Sequence, residues 1–544
     1  MPNAWEEWAG RHCVDHFVGR TYRRAVLNAI GKLPLPKRWG VSVLVCAWWM
    51  LAWGSVGCKS DPDGAVEGWP TSPPEEQGFD SAEIASVVEK IDAQDLPVDS
   101  LQVVRNGVLI LDAYFYPYLG DRPHDFASVT KSVTSTLVGI AMDQGLLTLD
   151  QNMVATFPDL VSVPPMDAKA DIELRHLLTM TSGLDCGRTP GEPELNEMLR
   201  SDHFVKYALG LPMAVPPDTE FAYCSPGSHV MSAMISQATD SSALDFARVN
   251  LFGPLGIEEA LWPTDPQGVT RGWGDLQLHP RDMARIGQLF LSGGTWNGAR
   301  IVSDEWVEVA TESYVVADVD GTGYGYQWWV PAGAFEGVYE ARGRGGQGII
   351  VWPDKDVVAV FTGRGVDVRD VALALAAALK SDSPLPPNPY AYARLNTAIL
   401  SAIEPPMAKP LPPLPPKAAE ASGKVYRLDA NQFDVKCISF RFDSPSEVWF
   451  DLTLGSGAFE LPVGMDGVPR FSETGPTGIP VGVLGEWTEP TVFSMQYDEV
   501  AGPNHLRIRG SFGEASESVE LEFTDPGASF PAQTVPATSV ANCD

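Results

Sequence analysis

The sequence has few basic residues for its length. Lys and Arg number 38 against 70 Asp and Glu in 544 residues, which gives a formal net charge of -32. Because such an acidic surface repels phosphate backbones, we do not expect nucleic-acid binding. Metal ligands are also scarce: the eight histidines form no close cluster beyond His12 and His16, so no metal or other cofactor is expected. The chain lacks a Gly-x-Ser-x-Gly turn, which argues against the α/β-hydrolase class.

Long apolar runs are lacking as well. The stretch Val41–Val56 follows Lys37 and Arg38, but its roughly 16 residues fall short of the roughly 20 that a membrane-spanning helix needs. It ends in Ser-Val-Gly-Cys58, and residues 37–58 resemble a bacterial lipoprotein signal in which Cys58 carries the lipid. We therefore expect export to the cell envelope, with a lipid anchor facing the periplasm. Because Ser stands at position 55 where Leu is usual, a cleaved signal peptide or a short membrane anchor remains an alternative.

Composition divides the chain into two main domains. The predicted divisions are an extension without an assigned role at 1–36, the signal at 37–58, a Pro-, Asp- and Glu-rich tether at 59–76, a first domain at 77–381, a linker at 382–420, a second domain at 421–527 and a tail at 528–544. The linker is predicted because eleven prolines between Ser383 and Pro416 oppose both helices and central strands.

The first domain begins with a helix and a hairpin. Ser81–Ala93 has a helical pattern, and two apolar runs flank Asn106-Gly107, a dipeptide typical of tight hairpin turns. Together with later helical segments and strands, this order predicts an α/β (α+β) fold in which helices flank an antiparallel sheet.

The second domain consists of short alternating runs. Six of them predict strands: Val425–Leu428, Ile438–Phe442, Val448–Leu454, Val492–Tyr497, Leu506–Arg509 and Val519–Phe523. Gly, Pro, Asp or Asn separates most of these runs, which indicates an antiparallel β-sandwich or a small barrel. No catalytic group stands out there, so we expect an accessory domain.

Ser128-Val-Thr-Lys131 is the one Ser-x-x-Lys sequence in the chain. This spacing places the hydroxyl and the amine on one face of a helix. The apolar positions of Ser132–Gln144 follow a helical stripe, and Gly145 occupies a typical C-cap. Ser128 is therefore predicted at a helix N-terminus, where the dipole favours developing negative charge. The alternative is that Ser128 merely caps this helix.

Further segments occur in a recognisable order. They are His176-Leu-Leu-Thr-Met-Thr-Ser-Gly-Leu184, Phe221-Ala-Tyr-Cys-Ser-Pro-Gly-Ser-His229, Gly272-Trp-Gly-Asp-Leu-Gln-Leu-His-Pro-Arg-Asp-Met-Ala-Arg-Ile-Gly-Gln-Leu289, Gly323-Tyr-Gly-Tyr-Gln-Trp-Trp329 and Gly343-Arg-Gly-Gly-Gln347. With Ser128-Val-Thr-Lys131, they resemble the motifs of the serine β-lactamase and penicillin-binding-protein superfamily. The resemblance is to its class C-related branch of esterases, D-aminopeptidases and nylon-oligomer hydrolases, and implies a β-lactamase/transpeptidase-like fold at about residues 75–380.

The resemblance implies roles for individual residues. Ser128 would be the nucleophile of an acyl-enzyme, with Lys131 and Tyr223 acting as one coupled general base and acid. The oxyanion would bind the Ser128 N–H and a second N–H from the glycine-rich strand at Gly345, Gly346 and Gln347. The substrates would be small esters, amides or peptides.

Two departures from the family pattern bear on the substrate. Lys-Thr-Gly is absent, and Arg342 and Arg344 are the cations near its place, where a guanidinium could hold a substrate carboxylate. Ser225 replaces the usual asparagine and has a shorter reach. We therefore expect ester or linear-amide hydrolysis rather than efficient β-lactam hydrolysis. A non-catalytic protein that binds peptides or cell wall through the same cleft is the alternative.

Four cysteines remain after the leader, which allows three pairings. Cys186 and Cys224 both flank motifs of the proposed active site, so we expect a disulfide between them in an exported protein. Free buried thiols are the alternative.

Overall fold

The computed structural model describes residues 65–66, 68–160, 168–189, 191–365, 368–526 and 532–543. The extension at 1–36, the signal at 37–58 with Cys58, and the start of the tether lie outside these residues. The chain divides into two compact units, Met1–Thr71 and Ser72–Asp544. Within the first unit, β1 (Ala65–Val66) pairs with β2 (Trp69–Pro70). No helix among the described residues has the length and apolar character needed to span a bilayer.

Helices account for much of the first part of the larger unit. They are α1 (Ser81–Ala93), α2 (Thr130–Asp143), α3 (Leu174–Leu178), α4 (Pro193–Arg200), α5 (Phe204–Gly210), α6 (Ser225–Thr239), α7 (Ala243–Ala247), α8 (Gly253–Leu255), α9 (Pro280–Leu291), α10 (Asp304–Ala310), α11 (Val368–Ala378), α12 (Pro389–Ala402) and α13 (Pro416–Ala421). The Asp80 side chain caps α1 by accepting the Ala82 N–H.

An eight-stranded antiparallel sheet forms the centre of this part, in the order β4-β3-β14-β13-β12-β11-β10-β9. Its strands are β3 (Val98–Arg105), β4 (Val108–Tyr114), β9 (Val315–Val316), β10 (Gly323–Tyr324), β11 (Trp329–Val330), β12 (Tyr339–Gly343), β13 (Gln347–Trp352) and β14 (Val357–Gly363). Two short pairs complete the list of strands here: β5 (His124–Asp125) pairs with β6 (Gln277–Leu278), and β7 (Thr295–Trp296) forms a hairpin with β8 (Ala299–Arg300). Asn106 and Gly107 have positive φ angles of 50° and 73° at the predicted hairpin turn.

Helices cover both faces of the sheet. On one face, α1, α11 and α12 form a core with alternate strand residues such as Ile350 and Ala359. Their neighbours Ile349 and Val358 point to the opposite face and meet α9. Gly287 permits this approach, since a methyl group there would lie 2.5 Å from Val358 Cγ1. The α/β sheet with flanking helices agrees with the sequence prediction.

The Pro-rich segment predicted as a linker forms two helices, α12 and α13. Pro389 occupies the first turn of α12, where its missing N–H is not needed, and Asn388 caps the helix. Leu395 and Ala398 of α12 belong to the core beside α1, and Arg394 forms an ion pair with Glu89. The prolines lie mainly outside the helices, and residues 403–415 between them are mostly exposed and form neither helix nor strand, so only the helical parts of the predicted linker are packed.

The last part of the chain forms a ten-stranded antiparallel sheet that curves into a nearly closed barrel. Its order is β18-β17-β16-β15-β24-β23-β22-β21-β20-β19. The strands are β15 (Val425–Leu428), β16 (Val435–Ser444), β17 (Glu447–Leu454), β18 (Gly457–Val463), β19 (Arg470–Ser472), β20 (Val481–Glu489), β21 (Val492–Glu499), β22 (His505–Phe512), β23 (Ser518–Thr524) and β24 (Gln533–Val540). The edges meet where the Gly464 N–H donates to Val483 O at 3.0 Å and the Gly485 N–H donates to Gly464 O at 2.8 Å.

The barrel includes residues that the sequence prediction assigned to a tail. Strand β24 pairs with both β15 and β23, so residues 533–540 complete the barrel wall. A disulfide joins Cys437 of β16 to Cys543 beyond β24. Pro536, which has no backbone N–H, lies in β24. Apolar and polar residues alternate less regularly in this strand than in the six runs that were predicted as strands.

Candidate active site

A tight turn leads into helix α2. The 3-10 turn Ala127–Val129 precedes Thr130, the first residue of α2. Ala127 has a φ of 46°, in the left-handed region that is costly for alanine, and its N–H donates to Asp125 Oδ1 at 2.7 Å. The turn leaves Ser128 partly exposed beside the N-terminus of the helix.

Lys131 lies directly beneath Ser128. Its Nζ is 3.0 Å from Ser128 Oγ and donates a second hydrogen bond to the Trp273 carbonyl oxygen at 2.8 Å. Only 1% of Lys131 is exposed. Because the buried amine is hydrogen-bonded to both the Ser128 hydroxyl and the Trp273 carbonyl, it is fixed in a position from which it can exchange a proton with the serine.

The segment that supplies the Trp273 carbonyl is bonded to α2 on both sides of Lys131. Thr134 Oγ1 donates to Gly272 O at 2.9 Å, and the Leu276 N–H donates to Thr130 Oγ1 at 3.2 Å. A methyl group at Gly272 would lie 2.3 Å from Ser228 O of α6, so only glycine fits there. The motif around Gly272 thus positions a backbone acceptor for the lysine.

Tyr223 presents its ring to Lys131. The lysine Nζ lies 4.7 Å from the centroid of the Tyr223 ring, and this ring stacks on Trp329 with centroids 6.0 Å apart. Tyr223 immediately precedes Cys224, the residue before α6, which forms a disulfide with Cys186. The three residues predicted as catalytic are therefore brought together, and the structure contains the disulfide expected beside them.

Ser225 begins α6 at the edge of this group. It is 1% exposed, and its Oγ donates to Glu192 Oε2. Glu192 has a φ of 48° and precedes Pro193, the first residue of α4. The hydroxyl that takes the place of the family's asparagine amide is thus already engaged by a carboxylate.

The glycine-rich segment approaches Ser128 at Gly343, the last residue of β12. A methyl group at Gly343 would lie 3.2 Å from Ser128 N and 2.4 Å from Phe126 O. Gly345 and Gly346 form the turn after β12, with φ angles of 85° and 92°. The Gln347 amide donates to Gly363 O at 2.6 Å, inside the fold.

The two arginines of this segment have protein partners. Arg342 Nε donates to Glu340 Oε2 at 2.8 Å, and its guanidinium lies 4.9 Å from the Trp329 ring centroid. Arg344 Nη1 donates to Asn504 Oδ1 of the barrel at 2.8 Å. The structure therefore places Arg344 against the barrel, and Arg342 remains partly exposed beside Trp329.

Three contributors to the site escaped the sequence analysis. The Trp273 carbonyl is a backbone group without a residue signature, Glu192 is an isolated acid before a proline, and Asn504 belongs to a turn more than 370 residues from Ser128. None carries a local pattern that could have identified it. Within the described residues, no three His, Cys, Asp or Glu side chains converge to hold a metal ion.

Comparison with known proteins shows the family of the chain. The family model described as Beta-lactamase matches residues 84–381, more than half of the chain. The 6-aminohexanoate-dimer hydrolase of Paenarthrobacter ureafaciens is 25% identical over 287 residues, covering 48% of this chain and 71% of that enzyme. Among solved structures, a family VIII carboxylesterase is 16% identical with a TM-score of 0.44, covering 61% of this chain and 98% of its own. The octameric penicillin-binding protein homologue of Pyrococcus abyssi is 15% identical with a TM-score of 0.45, and the match covers 84% of this chain and 99% of that chain. The chain belongs to the Beta-lactamase family and is a serine hydrolase related to the β-lactamases.

Proposed function

We propose that this protein is an exported serine hydrolase that cleaves a small ester or linear amide through an acyl-enzyme on Ser128. The observation that carries the proposal is the buried Lys131 Nζ, 3.0 Å from Ser128 Oγ and fixed by the Trp273 carbonyl. A serine that merely capped the helix would need no buried amine at its hydroxyl.

In the first step, Ser128 Oγ attacks the carbonyl carbon of the substrate. The hydroxyl proton passes to the coupled unit of Lys131 and Tyr223. The lysine Nζ already lies within hydrogen-bond distance of the attacking oxygen, so no large movement is required.

The negative charge on the carbonyl oxygen requires backbone donors. The Ser128 N–H is the first, because it lies at the start of α2 where the helix dipole favours an anion. We assign the second to the N–H groups at the Gly343–Arg344 end of β12, since Gly343 lies against Ser128 N. This assignment moves the donor towards the start of the segment Gly345–Gln347 that we expected from the sequence.

Breakdown of the tetrahedral intermediate releases the alcohol or amine. The leaving group takes its proton from the Lys131–Tyr223 unit, and Ser128 is left acylated. Water then attacks the acyl carbonyl, gives its proton to the same unit and regenerates the Ser128 hydroxyl as the acid product leaves. Each proton that the unit accepts is thereby returned.

Esters and linear amides are preferred over β-lactams because of Ser225. Its hydroxyl donates to Glu192, so it offers little to the acylamino group of a β-lactam. Similarity to a protein named 6-aminohexanoate-dimer hydrolase supports this proposed preference.

The proposal of export is based on the signal-like sequence of residues 37–58 and on the pairing of cysteines in disulfides. The disulfides Cys186–Cys224 and Cys437–Cys543 are typical of an oxidising compartment. We propose that the mature protein lies in the cell envelope, anchored by a lipid on Cys58. Metabolic labelling with a lipid precursor tests this anchor, because Cys58→Ala should abolish the label while leaving the disulfides in place.

Labelling with a fluorophosphonate probe tests the hydrolase. Intact-mass analysis of the wild-type protein should show one adduct, mapped by peptide analysis to Ser128, and Ser128→Ala should show none. Ser241→Ala, outside the site, is the matched control and should label normally. A panel of p-nitrophenyl esters, aminohexanoate dimers, D-amino-acid amides and nitrocefin then defines the substrate class. Absence of any adduct in folded wild-type protein would favour a non-catalytic binding protein.

A further inference from the structure

One turn of the barrel contacts the loop that carries the nucleophile. The barrel turn, Val500–Asn504, joins β21 to β22. Its Ala501 carbonyl accepts the Asp125 N–H at 2.9 Å, three residues before Ser128. Val500 and Ala501 also pack with Tyr118 in a small buried cluster. The barrel is therefore in direct contact with the segment that leads into the Ser128 turn.

The same barrel turn contacts the end of β12. Asn504 Oδ1 accepts the Arg344 guanidinium at 2.8 Å, and a methyl group at Gly345 would lie 3.1 Å from Pro503 Cβ. Arg344 directly follows Gly343, the residue that lies against Ser128 N. Both backbone segments assigned to the oxyanion site thus contact one five-residue turn.

Asn504 is held in a fixed orientation for this contact. Its amide donates to Glu499 Oε2 at 2.7 Å, and Thr477 Oγ1 donates to Glu499 Oε1 at 2.6 Å. Because Glu499 is 1% exposed and satisfied on both oxygens, the Asn504 amide cannot rotate without losing a buried hydrogen bond. Its carbonyl oxygen is consequently directed at Arg344.

A buried ion-pair network fastens the barrel next to this turn. Arg364 pairs with Asp99 at 2.9 Å and with Asp498 of the barrel at 2.9 Å. Asp99 Oδ2 also lies 3.0 Å from Nε2 of His124, which is four residues before Ser128. The interface beside the nucleophile is therefore specific rather than a loose contact between domains.

We propose that the barrel turn is a positioning element of the active site, with Asn504 as its principal residue, and that it sets the separation between the Ser128 N–H and the β12 end. The inference rests on the proposed hydrolase function. An oxyanion site works only when both donors lie within hydrogen-bond distance of the developing charge. A displacement of a donor by about 1 Å reduces the catalytic rate on the order of 100-fold. A turn that holds both the Ser128 segment and the end of β12 therefore affects kcat.

The test compares Asn504→Ala with the wild-type enzyme on an ester that Ser128 hydrolyses. We expect kcat to fall roughly 10- to 100-fold with KM changed less than about threefold. The inhibition constant of phenylboronic acid, which forms a tetrahedral adduct with the serine, should rise in proportion to the loss of kcat/KM. Arg509→Ala, on the exposed side of β22, is the matched control and should leave both values unchanged.

Arg344→Ala provides a second approach, because it breaks the contact while leaving Asn504 bonded to Glu499. The double variant should lose no more activity than either single variant, since both remove one interaction. The proposal is overturned if both single variants, folded at the assay temperature, keep kcat and the boronic-acid constant within threefold of wild type. Retention of activity by Ser128→Ala would instead contradict the proposed function itself.

Discussion

Tyr223 and Trp329 stack with an interplanar angle of 22° and ring centroids 6.0 Å apart. Lys131 Nζ lies 4.7 Å from the Tyr223 ring centroid, and the Arg342 guanidinium lies 4.9 Å from the Trp329 ring centroid. The two rings thus link a buried amine to a partly exposed cation at the edge of the cleft. The stack fixes the plane of the Tyr223 ring and therefore the direction in which its hydroxyl points.

Trp329→Ala should lower kcat on an ester substrate by roughly 10- to 100-fold, because the Tyr223 ring loses its support and misplaces the proton-transfer group. Trp329→Phe retains a stacking ring and should recover most of the loss. Steady-state kinetics and the phenylboronic-acid inhibition constant measure the effect. Equal activity in the alanine and phenylalanine variants would show that the stack does not orient Tyr223.

Asp125→Asn should change the pH dependence of stability. Burial, reinforced by Asp275 and Glu499, raises the pKa of Asp125 to about 7 from 3.8. Between these two values the folded chain binds more protons than the unfolded chain, so this carboxyl makes stability fall as pH rises. The fall is at most about 1.4 kcal/mol per pH unit and ends above about pH 7.

The variant retains an acceptor for the Ala127 N–H but has no proton to lose. The melting temperature of the variant, relative to that of wild type, should therefore increase as the pH is raised from 4 to 7. Thermal unfolding in a buffer series measures this difference. Asp92→Asn, on the exposed surface of α1, is the control and should follow the wild-type profile. Parallel profiles for Asp125→Asn and wild type would contradict the expectation.

Arg364→Ala should lower the free energy of unfolding by about 3–5 kcal/mol, because it leaves the buried carboxylates of Asp99 and Asp498 without their cation. Arg248→Ala removes an exposed ion pair with Asp245 and should cost less than about 1 kcal/mol. Chemical denaturation followed by tryptophan fluorescence measures both. Similar losses in the two variants would mean that the buried network contributes little.

Removal of Cys437–Cys543 should affect stability alone, whereas removal of Cys186–Cys224 should also affect catalysis. Replacing Cys437 and Cys543 by serine should destabilise the protein by about 3–5 kcal/mol through the lost closure of a 106-residue separation, with kcat unchanged at temperatures where it stays folded. Replacing Cys186 and Cys224 should lower kcat as well, because Cys224 follows Tyr223 directly. Thermal unfolding and steady-state kinetics distinguish these results, and an equal loss of kcat in both variants would contradict them.

Local patterns were sufficient for much of the fold. The Asn106-Gly107 hairpin, helix α2 and most barrel strands follow from periodicity and turn residues that lie close together in sequence. Strands β18, β19, β20 and β24 escaped prediction because their alternation is weak and their pairing depends on distant neighbours. Helix α12 lies in the segment that we predicted as a linker, and its packing on α1 cannot be recognised from its own residues.

The sequence by itself determined the Ser128–Lys131 pair, because a three-residue helical spacing places the two side chains together in any fold that preserves the helix. It also pointed to Tyr223 and to the pairing of Cys186 with Cys224. Only the tertiary structure decided which backbone groups surround the pair, namely the Trp273 carbonyl and the Gly343 end of β12, and that the barrel turn contacts this end through Asn504 and Arg344. These groups come from distant segments and depend on strand register and domain packing, which local residue patterns do not specify.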